Sequence, residues 1–77
     1  RVNCVIPGAV QTPATERAIP NEDLMEATIQ TIPLKRIAKP EELAAPIVFL
    51  LSSEASFVTG ADVIIDGGKT ADLNAGN

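Results

Sequence analysis

The sequence has no histidine, tryptophan or tyrosine, a single cysteine, and only two aromatic residues, Phe49 and Phe57. Each shortage closes off a class of function. Without histidine and with one thiol, the usual zinc ligand sets cannot be assembled, and Cys4 cannot close an internal disulfide. A Ser or Cys nucleophile would find no imidazole to act as its base. Two aromatics make no platform on which bases could stack. Six Lys and Arg stand against ten Asp and Glu, for a net charge of −4, and Lys35–Arg36 is the only adjacent basic pair. No concentrated basic surface exists to meet a phosphate backbone, so no nucleic-acid partner is expected. The longest apolar run, Leu43 to Leu51, is far shorter than the roughly 20 residues of a membrane span, so no membrane partner is expected either. The five glycines form neither a Gly-x-Gly-x-x-Gly nor a phosphate-loop pattern. No leader-like run precedes the first strand-like segment, and the expected setting is reducing and cytoplasmic.

What the chain does have is apolar density. Of its 77 residues 45% are apolar, whereas a chain of this size buries only about 60% of its unfolded surface. The segments read as fully buried, with too little chain to bury them.

Arg1 to Ile6 is short, rich in β-branched residues and stopped by Pro7–Gly8, which predicts a strand followed by a sharp turn. The adjacent apolar pair Val5–Ile6 predicts burial on both faces, as in a parallel sheet, and Cys4 is expected as a small buried core residue. Ala9 to Pro20 reads as loop. Asn21 offers an N-cap, Glu22 and Asp23 supply first-turn acids, and Leu24, Met25, Thr28 and Ile29 form a helical stripe that Pro33 stops. A connector follows to Lys39, in which Lys35–Arg36 reads as a solvated pair. Pro40–Glu41–Glu42 is a clean helix start, and the helix to about Ser52 is apolar nearly all round, as a buried helix is. Pro46 is expected to kink it or loosen its first turn. Ala61 to Asp66 is a second buried-type strand, stopped by Gly67–Gly68. From Lys69 the chain is small, polar and expected to fray.

The order strand, loop, helix, helix, strand predicts one crossover unit of a parallel sheet. Such a sheet needs helices on both faces and neighbouring strands. The fold class is therefore α/β, with a larger parallel-sheet domain implied and most of it expected upstream.

The carboxylate pairs Glu22/Asp23 and Glu41/Glu42 sit at helix starts, where they complement the dipole rather than perform acid–base work. The pattern Asn3-x-x-x-Pro7-Gly8-x-x-x-Thr12 says more. Ligands of open α/β sheets bind at the C-terminal ends of the strands. There Pro7–Gly8 would leave bare backbone, and the following backbone groups together with the Thr12 hydroxyl could read a flat carboxamide. A plain strand-to-loop turn has the same spacing.

Three blocks carry a resemblance. Arg1 to Pro13 is similar to the sixth strand and following loop of the short-chain dehydrogenases/reductases. Pro33 to Ala44 resembles their connector and helix start, and Phe49 to Gly60 with Val63 to Gly68 resembles their last helix and strand. The match runs in order over residues 1 to about 71, and it implies a C-terminal fragment of a Rossmann-like doubly wound parallel sheet, with residues 1–71 the incomplete domain and 72–77 a polar tail. It implies a cofactor, NAD or NADP, with Pro7 and Gly8 bordering the nicotinamide and the Val10 backbone and Thr12 side chain holding its carboxamide. It implies an enzyme that interconverts a small-molecule alcohol and carbonyl, a substrate-covering segment over about Pro13 to Ile32, and a homo-oligomer formed through Pro40 to Gly68. Ala38 stands where the family commonly has glycine. The family's phosphate loop, catalytic Ser and Tyr-x-x-x-Lys pair have no counterparts here, so no catalytic residue is assigned and the chain alone is expected to be inactive. A non-catalytic, stand-alone oligomerisation or binding module derived from that family is the alternative.

Overall fold

The computed structural model describes residues 1–71; the expected tail, 72–77, lies outside them. Strand β1 (Cys4–Pro7) is followed by helices α1 (Pro13–Ala18), α2 (Glu22–Gln30) and α3 (Pro40–Leu51), a 3-10 turn over Ser53–Ala55, and strand β2 (Asp62–Ile65). The strands pair in parallel with Cys4 opposite Asp62 and Pro7 opposite Ile65. This is the expected α/β crossover, with one helix more than expected. Residues 13–18 were expected as loop. Thr12 instead accepts a hydrogen bond from the Thr15 N–H as N-cap and Pro13 occupies the first turn, which together start a short helix.

Side chains and backbone groups at the N-terminal end of β1 hold its register. Asn3 Nδ2 donates to the Val58 carbonyl (3.1 Å) and Asn3 Oδ1 accepts from the Ala61 N–H (3.0 Å). Arg1 donates to the carbonyls of Leu50, Ser52 and Val58, tying the exit of α3 to the sheet. Strand pairing runs past Pro7. The N–H groups of Cys4 and Gly8 donate to Ala61 and Ile65 at 2.9 Å each. Donors toward β2 thus fall at every second residue, and the N–H that Pro7 lacks belongs on the edge away from β2, where proline costs no ladder bond. The expected sharp turn at Pro7–Gly8 is accordingly absent, and the chain continues extended to Val10.

Burial departs from expectation in one direction. Val5 shares a cavity wall with Ile47, Leu50 and Leu51 of α3, and Ile65 shares another with Ile32 and Leu34. Alternate strand residues point to opposite faces. The other face carries Cys4, Ile6 and Ile64, all exposed, Ile64 by 53%. Cys4 is therefore no core residue, because this chain covers its side of the sheet incompletely. Helix α3 is likewise half open. Leu43 and Leu50 are buried, but Leu51 is 79% exposed and Phe57 just beyond is entirely so. Among the described residues the buried apolar set is Ile32, Leu43, Leu50 and Ala55. No described helix is long and apolar enough to cross a membrane. Helix α3 continues through Pro46 as one element, although proline cannot donate to the Glu42 carbonyl.

The connector is fastened to α3. Arg36 makes a two-pronged bond to Glu42 (2.6 and 2.8 Å), and the same carboxylate accepts from the Lys39 N–H (2.9 Å). The helix-start glutamate thus pairs with Arg36 while staying exposed. Its pKa is held down, from 4.5 to about 2, chiefly by the Arg36 hydrogen bond and next by the Lys39 amide. Beyond β2, residues 69–71, expected to fray, lie in a turn. The Asp66 carboxylate accepts from the Gly68 and Thr70 amides and the Thr70 hydroxyl, closing a turn.

Two outcomes follow from these contacts. A Cβ at Gly8 would lie 2.8 Å from both Cα and Cβ of Asp66, and backbone cannot yield as a side chain can. Gly8→Ala should destabilise by about 1–3 kcal/mol, as overpacking does, measured by urea denaturation. Glu42 has a depressed native pKa, so its contribution is complete above about pH 4.5 and is lost as pH falls toward 2. The urea midpoint of Glu42→Gln should lie slightly below the parent's at neutral pH. The gap should close over that acid window and narrow with salt, because both partners are solvent-exposed.

Candidate functional site

The four residues singled out from sequence, Pro7, Gly8, Val10 and Thr12, lie on one stretch that runs off the C-terminal end of β1. Strand β2 guides this stretch as far as Gly8. Beyond it, the connector takes over. The Ala38 N–H donates to the Ala9 carbonyl (2.9 Å) and the Gln11 N–H donates to the Ala38 carbonyl (2.8 Å), an isolated parallel bridge with Val10 at its centre. Ala38 was noted only as a departure from glycine. It is the residue that pins the candidate site, and nothing in its local sequence signals that.

The bridge leaves the Val10 amide facing away from the connector, and among the described residues the Val10 N–H has no hydrogen-bond partner. Its carbonyl accepts from the Thr15 hydroxyl. The Thr12 side chain caps α1 by accepting from the Thr15 N–H (3.2 Å), and the two threonine hydroxyls are 3.2 Å apart. Val10 and Thr12 thus share Thr15 as a hydrogen-bond partner. Thr12 is also a helix cap, which the loop reading of this region missed. The Thr-Pro pair before Glu16 was the available signal.

Pro7 and Gly8 face a different space. They help to line a cavity of about 250 Å³ at the C-terminal ends of the two strands, with Ile6, Ile32 and Ile64 among its apolar walls. The volume suits a small molecule or one ring rather than a whole dinucleotide. Thr28 and Thr31, at the end of α2, reach this cavity from the segment expected to cover substrate. Their hydroxyls donate to the Leu24 and Thr28 carbonyls and are committed to the helix. Asn3, the first residue of the sequence pattern, is not part of the site. It sits at the opposite end of β1, in the register contacts to Val58 and Ala61.

Asp66 and Lys69 both line this cavity, and Asp66 belongs to the fold. Hydrogen bonds from the Thr70 hydroxyl, the Thr70 amide and the Gly68 amide hold its carboxyl below the usual range. No group of three or more His, Cys, Asp or Glu that could hold a metal occurs among the described residues. Among the described residues this stretch offers an unpartnered backbone donor at Val10 and a hydroxyl at Thr12.

Comparisons with known proteins show the family. Residues 1–70 match the family model described as enoyl-(acyl carrier protein) reductase. The 3-oxoacyl-[acyl-carrier-protein] reductase FabG of Thermotoga maritima is 52% identical over 68 residues, covering 88% of this chain and 27% of the relative. The short-chain dehydrogenase/reductase bsc3 of Alternaria brassicicola is 42% identical over 76 residues, 96% of this chain and 28% of the relative. The solved structure of 4-hydroxyisoleucine dehydrogenase complexed with NADH superposes with a TM-score of 0.84 at 37% identity, over 94% of this chain and 30% of that one. The chain thus spans less than a third of the length of these proteins. With a family model matched over residues 1–70 and relatives of this identity, the chain belongs to the short-chain dehydrogenase/reductase family of oxidoreductases.

Proposed function

We propose that this chain is the nicotinamide-side segment of an NAD(P)-dependent oxidoreductase that interconverts an alcohol and a carbonyl. One observation carries the reading. An unpartnered backbone N–H at Val10 and the hydroxyl of Thr12 stand on one pinned stretch beyond the end of a parallel strand. A nicotinamide carboxamide carries one acceptor and one NH₂ donor, and that donor and hydroxyl suit it. The residues present fit the group. When bound, nicotinamide supplies the hydride chemistry. The residues of this chain bind and orient it, with Val10 and Thr12 at the carboxamide and Pro7–Gly8 along the ring.

The segment from Pro13 to Ile32 covers substrate and opens for exchange, as active-site lids do. The catalytic Ser and the Tyr-x-x-x-Lys pair that would move the proton belong to a part of the enzyme outside these residues, so the chain alone does not turn over substrate. That part would also cover Cys4, Ile6 and Ile64 on the open face of the sheet. The stretch Pro40 to Gly68 joins a second copy.

A second reading has an observation of its own. Val48, Leu51 and Phe57 leave apolar surface uncovered at the end of α3, as in a non-catalytic module that pairs copies or relatives without chemistry. Sedimentation of the isolated chain separates the two readings. A compact dimer that leaves no apolar surface to aggregate favours the module, and aggregation or an unfolded chain favours the enzyme segment.

For the enzyme reading, Thr12→Ala in the complete oxidoreductase should raise the KM for cofactor about tenfold, the scale of one lost hydrogen bond. Thr12→Ser should restore it. The helix cap lost in Thr12→Ala costs about 1 kcal/mol of stability, so thermal denaturation runs alongside. An unchanged KM and kcat in Thr12→Ala removes Thr12 from the site.

A further inference from the structure

We propose that Arg36 and Glu42 are a pair of positioning residues, a surface clasp that holds the connector against Val10 and whose release weakens cofactor binding from outside the site. The inference rests on the site reading given above and gives a role to an ion pair that the reading leaves out. The connector meets the site stretch at one isolated bridge, between Ala38 and Val10. Two hydrogen bonds make that bridge, and the Ala38 backbone takes part in both. The Glu42 carboxylate grips the chain on either side of it, through the Arg36 guanidinium before and the Lys39 N–H after. Glu42 stands in the first turn of α3, so the helix is the fixed end of the clasp.

Just before the clasp the backbone is held away from its preference. Lys35 has a φ of 59°, in the left-handed region that a residue with a Cβ enters only at a cost. On one side it is held by its own N–H, which donates to the Ile32 carbonyl (2.8 Å), and by its Nζ, which donates to the Gln30 carbonyl (2.9 Å). On the other side the bond from Arg36 to Glu42 fixes the next residue. With Arg36 released, Lys35 is free to return toward the right-handed region, and that rotation swings Ala38. The Lys39 N–H still reaches Glu42, so the bridge is loosened rather than lost. The bridge is what turns the Val10 amide away from the connector. A site formed for only part of the time binds more weakly by that fraction. Both side chains of the clasp are partly exposed, 52% and 39%, which keeps the effect modest.

The test uses the complete oxidoreductase and compares the affinity of its reduced dinucleotide with that of ADP-ribose or its 2′-phosphate, which lack the nicotinamide. Arg36→Met keeps the apolar stem and removes the charge. Glu42→Gln removes the counter-charge and keeps an acceptor for the Lys39 N–H. The expected result is about threefold weaker dinucleotide binding in each variant, the scale of an exposed ion pair, with the ADP-ribose ligand unaffected. The double variant should be no weaker than the weaker single one, because both changes remove one interaction. Hydrogen exchange at the Gln11 amide, which donates to Ala38, should quicken, while the Gly8 amide, which donates to Ile65, keeps its rate. Unchanged Gln11 exchange overturns the clasp's role. So does an equal loss for both ligands, or losses that multiply in the double variant, since either marks residues that are merely structural. Faster Gln11 exchange with unchanged dinucleotide affinity places the failure in the underlying site reading instead.

Discussion

Parallel pairing of β1 with β2 is the constraint on which the rest of this structure depends. Cys4 and Asp62 sit opposite one another across 58 residues of chain, and two parallel strands can be joined only by a crossover that leaves one end of the sheet and returns at the other. Everything between Gly8 and Ala61 serves that return. Asn3 and Arg1 secure the N-terminal end of β1 by reaching carbonyls of the returning chain. Gly8 secures the C-terminal end by being small enough to lie against Asp66. The closeness of Asp66 accounts for glycine there, and no left-handed backbone is needed.

The site is a by-product of where the pairing stops. Once β2 turns away at Asp66, the backbone after Gly8 needs a new partner, and Ala38 of the connector supplies it for one bridge. The connector can do so because Arg36 and Lys39 both fasten to Glu42 at the start of α3. A half-buried helix, a clasp at its N-terminus and a two-bond bridge thus form one mechanical chain ending at Val10. The chemistry available there is recognition by a backbone amide and a hydroxyl, which fits a segment whose relatives are oxidoreductases several times its length.

The open surfaces follow from the same topology. A sheet of two strands has two faces, and the helices of this chain bury mainly one, leaving Ile6 and Ile64 on the other. Helix α3 is apolar on more sides than one sheet face can cover, so Leu51 and Val48 stay exposed while Leu43 and Leu50 are buried. The surplus is one of arrangement: the sequence carries the apolar content of a larger core, and its geometry points that content outward as well as inward.

Local chemistry alone determined the two strands, the helix starts at Asn21 and Pro40 and the α/β class, because β-branched runs, caps and proline positions act over a few residues; the family was legible as the resemblance of whole sequence blocks. Local chemistry misjudged the Pro7–Gly8 turn, the burial of Cys4 and the loop at Pro13, and it left the role of Ala38 unassigned. Whether Pro7 ends a strand or continues it depends on which edge its missing N–H faces, and that is fixed by register with β2. Whether Cys4 is covered depends on which face the helices choose. Pairings between residues 28 apart in sequence, such as Val10 with Ala38, exist only once the crossover has brought them together.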